Sequence, residues 1–300
     1  MLIRKIQRTD SILKINAYLY ICILTYNQIL MIDFPNAKIN IGLNITEKRL
    51  DGFHNIETVF FPIKLNDVLE INKSDRGCVF NNTGLTIDNS SVESNLCYKA
   101  YLLLKNDFNL PDINIHLHKI IPFGAGLGGG SSDASFTLKM LNSIFNLNLT
   151  KQKLVCYAQQ LGSDCAIFIE NKPAFAEQRG DILTFIDVDL SDKYLVLIHP
   201  GIHINTGLAY SKITPRKTEN CLLDLIKEPI DTWKTKIFND FEDVVFSEYP
   251  EIKQIKEKLY DLGAVYSAMS GSGSSVYGIF NSIVEIKSYF ENYFVWEESL

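Results

Sequence analysis

The chain has 300 residues, 46% of them hydrophobic and 21% charged, with a formal net charge of −6. That composition excludes a disordered chain and suits one large or two closely packed domains. The acidic balance speaks against a nucleic-acid partner, so an anionic ligand must be held by local positive groups.

In chain order, Arg4, Lys5 and Arg8 precede an apolar run, Ala17–Leu24. The run is too short to span a bilayer and no A-x-A cleavage site follows, so residues 1–30 are expected to lie outside the fold. Residues 35–45 (PNAKINIGLNI) alternate apolar with polar or small side chains and predict a strand. RLDGFH (49–54) carries an Asp-Gly turn. Val59–Ile71 predicts a second strand region, broken at Asn66-Asp67. Ser94–Lys105 predicts a helix with Leu96, Ala100 and Leu103 or Leu104 on one face. Ile113–Ile121 alternates as a half-buried strand, with His116 and His118 sharing its polar face. Helices are predicted over Ser131–Phe145 and over Lys151–Leu161, the latter closed by Gly162. The second half predicts a strand at Tyr194–Ile198, a helix at Glu251–Leu262 closed by Gly263, and a small-residue loop running into a strand over Ala268–Phe280. Strands and helices mix without strict βαβ alternation, which predicts an α+β fold. The six cysteines (Cys22, Cys78, Cys97, Cys156, Cys165, Cys221) show no CxxC pair, and the five histidines form no HExxH. Free thiols in a reducing cytoplasm, and no zinc site, are expected.

The segment PFGAGLGGGSS (122–132) stands out. A run of glycines costs backbone entropy and adds nothing to a core, so it belongs where backbone approaches a ligand closely. Placed before a helix start, its free N–H groups and the helix dipole favour an anion, most simply a phosphate. The letters fit G-x-G-x-x-G, but no acidic residue follows about twenty positions on, where Asn142–Asn146 lies instead. No G-K-[ST] closes the loop, which removes the Walker A reading.

The loop instead resembles the P-x3-G-L-G-[GS]-[GS]-S motif of the GHMP kinases. The similarity continues in PNAKINIGLNIT (35–46), RLDGFHNIETVF (49–60), LGSDCAIF (161–168) and MSGSGSSVYGIF (269–280), in family order. Within the family these segments are most similar to the branch whose acceptor is 4-diphosphocytidyl-2-C-methyl-D-erythritol. The resemblance implies a two-domain fold, ribosomal protein S5 domain 2-like followed by ferredoxin-like. Its expected divisions are 31–183 for the ATP-binding domain and 184–300 for the C-terminal domain. It implies ATP-dependent phosphorylation of the acceptor's 2-hydroxyl on the non-mevalonate isoprenoid route, by a cytoplasmic monomer or homodimer with no membrane or nucleic-acid partner. RLDGFH separates this branch from mevalonate-, homoserine- and galactose-type members, which lack a D-G-[YF]-H loop.

Residue by residue, Lys38 and Asp164 match the catalytic lysine and base. The ATP loop is Pro122, Phe123, Gly124, Ala125, Gly126, Leu127, Gly128, Gly129, Gly130, Ser131 and Ser132. Asn40, Phe53, His54, Tyr210, Gly271, Ser272 and Gly273 fall on the substrate side. Phe53 replaces the usual tyrosine, which keeps a stacking ring and removes a hydroxyl. ATP implies Mg²⁺, and Ser131, Ser132 and Asp133 are the residues between which the sequence does not choose. Intact Lys38 and Asp164 speak against a module that binds nucleotide without turnover.

Overall fold

The computed structural model describes residues 31–75, 77–85, 92–217 and 220–300. The expectation for residues 1–30 lies outside them. Twelve strands are described: β1 (Met31–Asp33), β2 (Asn36–Lys48), β3 (His54–Asn66), β4 (Val68–Lys73), β5 (Val79–Gly84), β6 (Ile113–Lys119), β7 (Ala174–Glu177), β8 (Ile182–Phe185), β9 (Tyr194–His199), β10 (Tyr266–Met269), β11 (Val276–Phe280) and β12 (Phe294–Ser299). They form three sheets, ordered β1-β4-β6-β5, β2-β3-β7-β8 and β10-β11-β9-β12. All pairings are antiparallel except β5 with β6. Among the described residues the helices are α1 (Leu96–Phe108), α2 (Gly129–Ile144), α3 (Lys151–Leu161), α4 (Ile167–Glu170), α5 (Thr206–Ser211), α6 (Leu222–Leu225), α7 (Trp233–Lys236), α8 (Phe241–Glu248) and α9 (Pro250–Asp261). None of these is long and apolar enough to cross a membrane.

The first sheet lays Leu69, Ile71, Ile113, Ile115 and Leu117 against α1, α2 and α3 in one apolar cluster. Asn95 caps α1, its side chain accepting from the Cys97 amide at 2.8 Å, so the helix begins after the predicted Ser94. β2 does the linking. Ala37, Ile39 and Ile41 point into a second cluster shared with Leu195, Leu197, Tyr266, Tyr277 and Ile279 of the third sheet. Burying each isoleucine contributes about 1.5–3 kcal/mol. At the Ile41/Leu43 bulge, with Gly42 at φ +70°, the side-chain sequence shifts by one. Leu43 and Ile45 then turn into a third cluster, with Val196, Ile198, Phe241 and Ile252. The second cluster therefore spans both halves of the chain, and β8 straddles the division expected at residue 183.

The predicted alternation in 35–45 is present, yet every residue from Asn36 to Ile45 is buried. One face packs on the third sheet; Lys38 and Asn40, on the other, line a cavity. The break at Asn66-Asp67 separates β3 from β4 as the sequence predicts. Gly263 (φ +98°) ends α9 in the left-handed region, whereas Gly162 ends α3 with an extended backbone.

Candidate active site

A cavity of about 640 Å³ is walled by β2 and β3, the glycine loop, α5 and the loop joining β10 to β11. β2 brings Lys38 to its wall, and α2 begins beside it. Gly128, in the left-handed region at φ +70°, is the N-cap of α2 and offers no side-chain cap, so the first-turn N–H groups are left for a ligand. The helix starts at Gly129, two residues before the predicted Ser131. A Cβ on Gly129 would stand 2.9 Å from Ile121 and 3.2 Å from the Lys119 Nζ, which only glycine avoids.

The loop itself is anchored by two of its apolar residues. Ala125 and Leu127 are buried in the second cluster, and the Lys38 amide donates to the Leu127 carbonyl at 3.0 Å. Gly124, Gly126 and Gly128 reach the cavity wall; Pro122, Phe123, Ala125, Leu127, Gly129, Gly130, Ser131 and Ser132 do not. Phe123 lies over the Lys119 ammonium at 5.1 Å. A Cβ on Gly126 would meet the Ser270 carbonyl oxygen at 1.9 Å. This is where the segment MSGSGSSVYGIF (269–280) packs on the glycine loop. Ser270 Oγ donates to the Gly126 carbonyl at 2.8 Å and accepts from the Asn40 amide at 3.2 Å.

Lys38 Nζ is 3.2 Å from Asp164 Oδ2, donates to Asn40 Oδ1 at 2.6 Å and to the Gly126 carbonyl at 3.1 Å, and lies 5.0 Å from the Phe60 ring centre. The lysine is buried, while the carboxylate side chain is 35% exposed to the cavity. Asp164 sits in a short 3-10 turn, Ser163–Cys165, that follows α3. Asn40 uses its amide NH₂ on Thr58 Oγ1 at 2.9 Å, and Thr58 donates to the Gly42 carbonyl at 2.6 Å. Both ends of the Asn40 side chain are thus occupied, and here it orients Lys38.

At the other end His54 stacks on Tyr210, ring centres 4.8 Å apart and 13° from parallel, and Tyr210 meets Phe241 edge-on. Burial, then the Lys48 charge, lowers the His54 pKa. Burial, then the Asp164 charge, pushes the Tyr210 hydroxyl up to about 12, which places the aromatic pair within electrostatic reach of the carboxylate. Phe53 is half exposed, with the Arg179 guanidinium 4.7 Å from its ring centre. Gly271 and Ser272 line the cavity, and Ser272 Oγ is 2.8 Å from Thr206 Oγ1. Gly273 does not line it; a Cβ there would strike Met269 Sδ at 2.6 Å.

Of the three residues considered for Mg²⁺, Asp133 is turned into a buried cluster off the cavity wall. Its Oδ2 accepts from Lys119 Nζ at 2.8 Å, and the same ammonium also donates to Asp67. Asp67 in turn accepts from the Ile120 and Ile121 amides at 2.6 and 2.9 Å, which fixes the chain just before the loop. Ser132 Oγ is buried without a hydrogen-bond partner. Among the described residues no group of three His, Cys, Asp or Glu side chains is placed to hold a metal ion. His116 and His118 are instead bridged by Thr83 Oγ1, 2.9 Å from each.

The sequence reading missed the residues that brace the site. Asn239 donates to the Met269 and Gly271 carbonyls, both at 2.8 Å, and Glu242 accepts from the Met269 amide at 2.9 Å. Asp240 accepts from the Ile45 amide at 2.7 Å. The signal present in the sequence was an Asn-Asp pair before a helix, which alone reads as a cap.

Residues 95–172 match the family model of the GHMP kinases N terminal domain, and residues 222–295 match that of GHMP kinases C terminal. The chain is 52% identical over 274 residues, 90% of its length and 100% of the relative's, to the 4-diphosphocytidyl-2-C-methyl-D-erythritol kinase of Bacteroides fragilis. It is 51% identical to that of Cytophaga hutchinsonii over 84% of this chain and 93% of the relative. A crystal structure of 4-(cytidine 5'-diphospho)-2C-methyl-D-erythritol kinase superposes with a TM-score of 0.74 at 27% identity, covering 89% of this chain and 98% of the other. The mevalonate kinase of L. major, at 14% identity and a TM-score of 0.63 over 91% and 96% of the chains, shares the fold. With relatives of this identity over nearly its whole length and both domain models matched, the chain belongs to the 4-diphosphocytidyl-2-C-methyl-D-erythritol kinase family of the GHMP kinases.

Proposed function

We propose that this chain transfers the γ-phosphoryl group of ATP to the 2-hydroxyl of 4-diphosphocytidyl-2-C-methyl-D-erythritol, giving the 2-phosphate and ADP. The observation that carries the proposal is the Lys38–Asp164 pair, 3.2 Å apart, in one cavity with a helix-capping glycine loop and a stacked His54–Tyr210 pair. The loop from Pro122 to Ser132 receives the ATP phosphates on the N-terminal amides of α2. Asp164 accepts the proton of the acceptor hydroxyl, and Lys38 offsets the charge that builds on the transferring group. Phosphoryl transfer asks mainly for positioning and charge neutralisation, and Asn40 fixes the ammonium by accepting from it.

His54, Phe53 and Tyr210 receive the cytosine. The stacked His54–Tyr210 pair supports this reading, and Gly271 and Ser272 line the same cavity. Mg²⁺ accompanies ATP and screens its phosphates. The hard oxygen donor on the cavity wall is the Asp164 carboxylate; the hydroxyls of Ser131 and Ser132 stand off the wall, in the first turn of α2. Both substrates are highly charged and water-soluble, which fits a cytoplasmic site of action.

The test is ADP release from purified protein with Mg²⁺–ATP and, in separate reactions, the cytidine diphospho-alcohol, mevalonate and homoserine. Release with the first alone is expected. Release only with one of the other two would refute the substrate assignment, and none with any would return the chain to a nucleotide-binding module.

A further inference from the structure

The charged side chains on the cavity wall are Lys38, Lys48, Asp164 and Arg179. Lys38 and Asp164 neutralise each other at 3.2 Å. Lys48 and Arg179 remain, two cations on the wall of a protein whose net charge is −6, and neither forms an ion pair among the described residues. The nearby carboxylates are already engaged. Asp51 pairs with Arg49 at 2.9 Å, and Glu47 accepts from Asn55 at 2.8 Å. Arg179 Nε is buried with no hydrogen-bond partner, an unused donor on a half-buried side chain.

Both cations are fixed beside the aromatic end. Arg179 stands on the turn joining β7 to β8. That turn is tied to β3 by the Ile56 amide, which donates to the Gln178 carbonyl at 2.6 Å, and is braced internally by the Arg179 amide, which donates to Asp181 Oδ1 at 3.2 Å. The guanidinium lies 4.7 Å from the Phe53 ring centre. Lys48 ends β2 directly opposite His54 in the strand register, close enough for its charge to act on the imidazole.

We propose that Arg179, assisted by Lys48, is the site that reads the diphosphate of the acceptor. This rests on the functional reading above. In that acceptor the diphosphate lies covalently between the cytidine, at His54, Phe53 and Tyr210, and the alcohol, at Asp164. It carries two negative charges that nothing else on the wall answers once Lys38 is paired. A guanidinium offers a planar fork that matches a phosphate with two parallel hydrogen bonds, which a lysine cannot reproduce. Lys48 is exposed and contributes mainly long-range attraction.

The experiment compares cytidine and CDP as competitors of the acceptor, in the wild type and in Arg179→Ala, Arg179→Lys and Lys48→Ala. Wild type binds CDP more than about tenfold tighter than cytidine, as a charge-assisted, bidentate contact implies. Arg179→Ala raises the acceptor KM and the CDP Ki by about 10- to 100-fold, while the cytidine Ki and the ATP KM stay within about twofold. Arg179→Lys falls between, and shows that the loss is not misfolding. Lys48→Ala costs about threefold, and added salt removes that difference. Equal CDP and cytidine affinity in the wild type would overturn the proposal and leave the cytidine reading standing. So would a rise in ATP KM equal to that for the acceptor, which would assign Arg179 to the nucleotide. Failure of both cytidine and CDP to compete would overturn the functional reading and this inference with it.

Discussion

Two glycine-rich loops meet in this site, and they do different work. The loop from Pro122 to Gly128 buries Ala125 and Leu127 as anchors and leaves the amides of the α2 N-terminus open. The loop from Ser270 to Ser275 spends its polar groups on the protein. Ser270 Oγ holds the Gly126 carbonyl, the Ser275 amide reaches Ala125, and Asn239 holds the carbonyls of Met269 and Gly271. Small residues mark where backbones approach closely. Whether such a loop cradles a ligand or braces its neighbour depends on which of its hydrogen-bonding groups are already satisfied.

The largest expected effect lies where the open loop delivers phosphate. Asp164→Asn should lower kcat by about 10²- to 10⁴-fold with ATP affinity, measured by calorimetry, retained; an unchanged kcat would remove Asp164 from the mechanism. Next comes the contact between the loops. Gly126→Ala puts a Cβ 1.9 Å from the Ser270 carbonyl oxygen at φ +77°. It should cost about 2–4 kcal/mol in urea unfolding and raise the ATP KM. If stability and KM both hold, the loops are not locked as described. Asn239→Ala strips two donors from the bracing loop and should cost about 1–3 kcal/mol in the same measurement.

Beneath the open loop, Asp133 supplies a pH dependence. Burial, opposed by Lys119 and reinforced by Asp67, pushes its carboxyl up from 3.8 to about 7. The folded state therefore holds this proton to higher pH than the unfolded chain. Its contribution is complete below 3.8 and is lost as the pH rises through about 7. Wild type should lose stability relative to Asp133→Asn across that window; parallel pH profiles would contradict the assignment. The smallest effect belongs to Gly130→Ala. Gly130 is helical and its nearest neighbour to a new Cβ is 3.8 Å away, so stability should change by less than about 0.5 kcal/mol, or rise slightly.

Much of this arrangement was legible in the sequence because local pattern determined it. The alternation in β2 put Lys38 on the face opposite Ala37 and Ile39, and the glycine run announced the start of α2. The short strands were not legible. β5 and β8 are largely exposed and carry too few inward side chains to show a period. Nor was the bulge at Gly42, which sends Leu43 and Ile45 into another cluster. Asp67 read as a strand break, yet its carboxylate ties Ile120, Ile121 and Lys119 together from 52 to 54 positions away. Asn239 acts on carbonyls 30 and 32 positions on, Arg179 meets Phe53 from the far end of the second sheet's sequence, and no spacing in a single sequence reports such contacts.

The account stands most directly on what happens to the acceptor. Phosphorus NMR of a reaction of the purified chain with Mg²⁺–ATP and 4-diphosphocytidyl-2-C-methyl-D-erythritol follows both phosphate groups at once. The account predicts a new monoester resonance growing in step with ADP while the acceptor's diphosphate signals persist. Free phosphate with an unchanged acceptor, or cleavage of its diphosphate, would contradict phosphoryl transfer by Lys38 and Asp164.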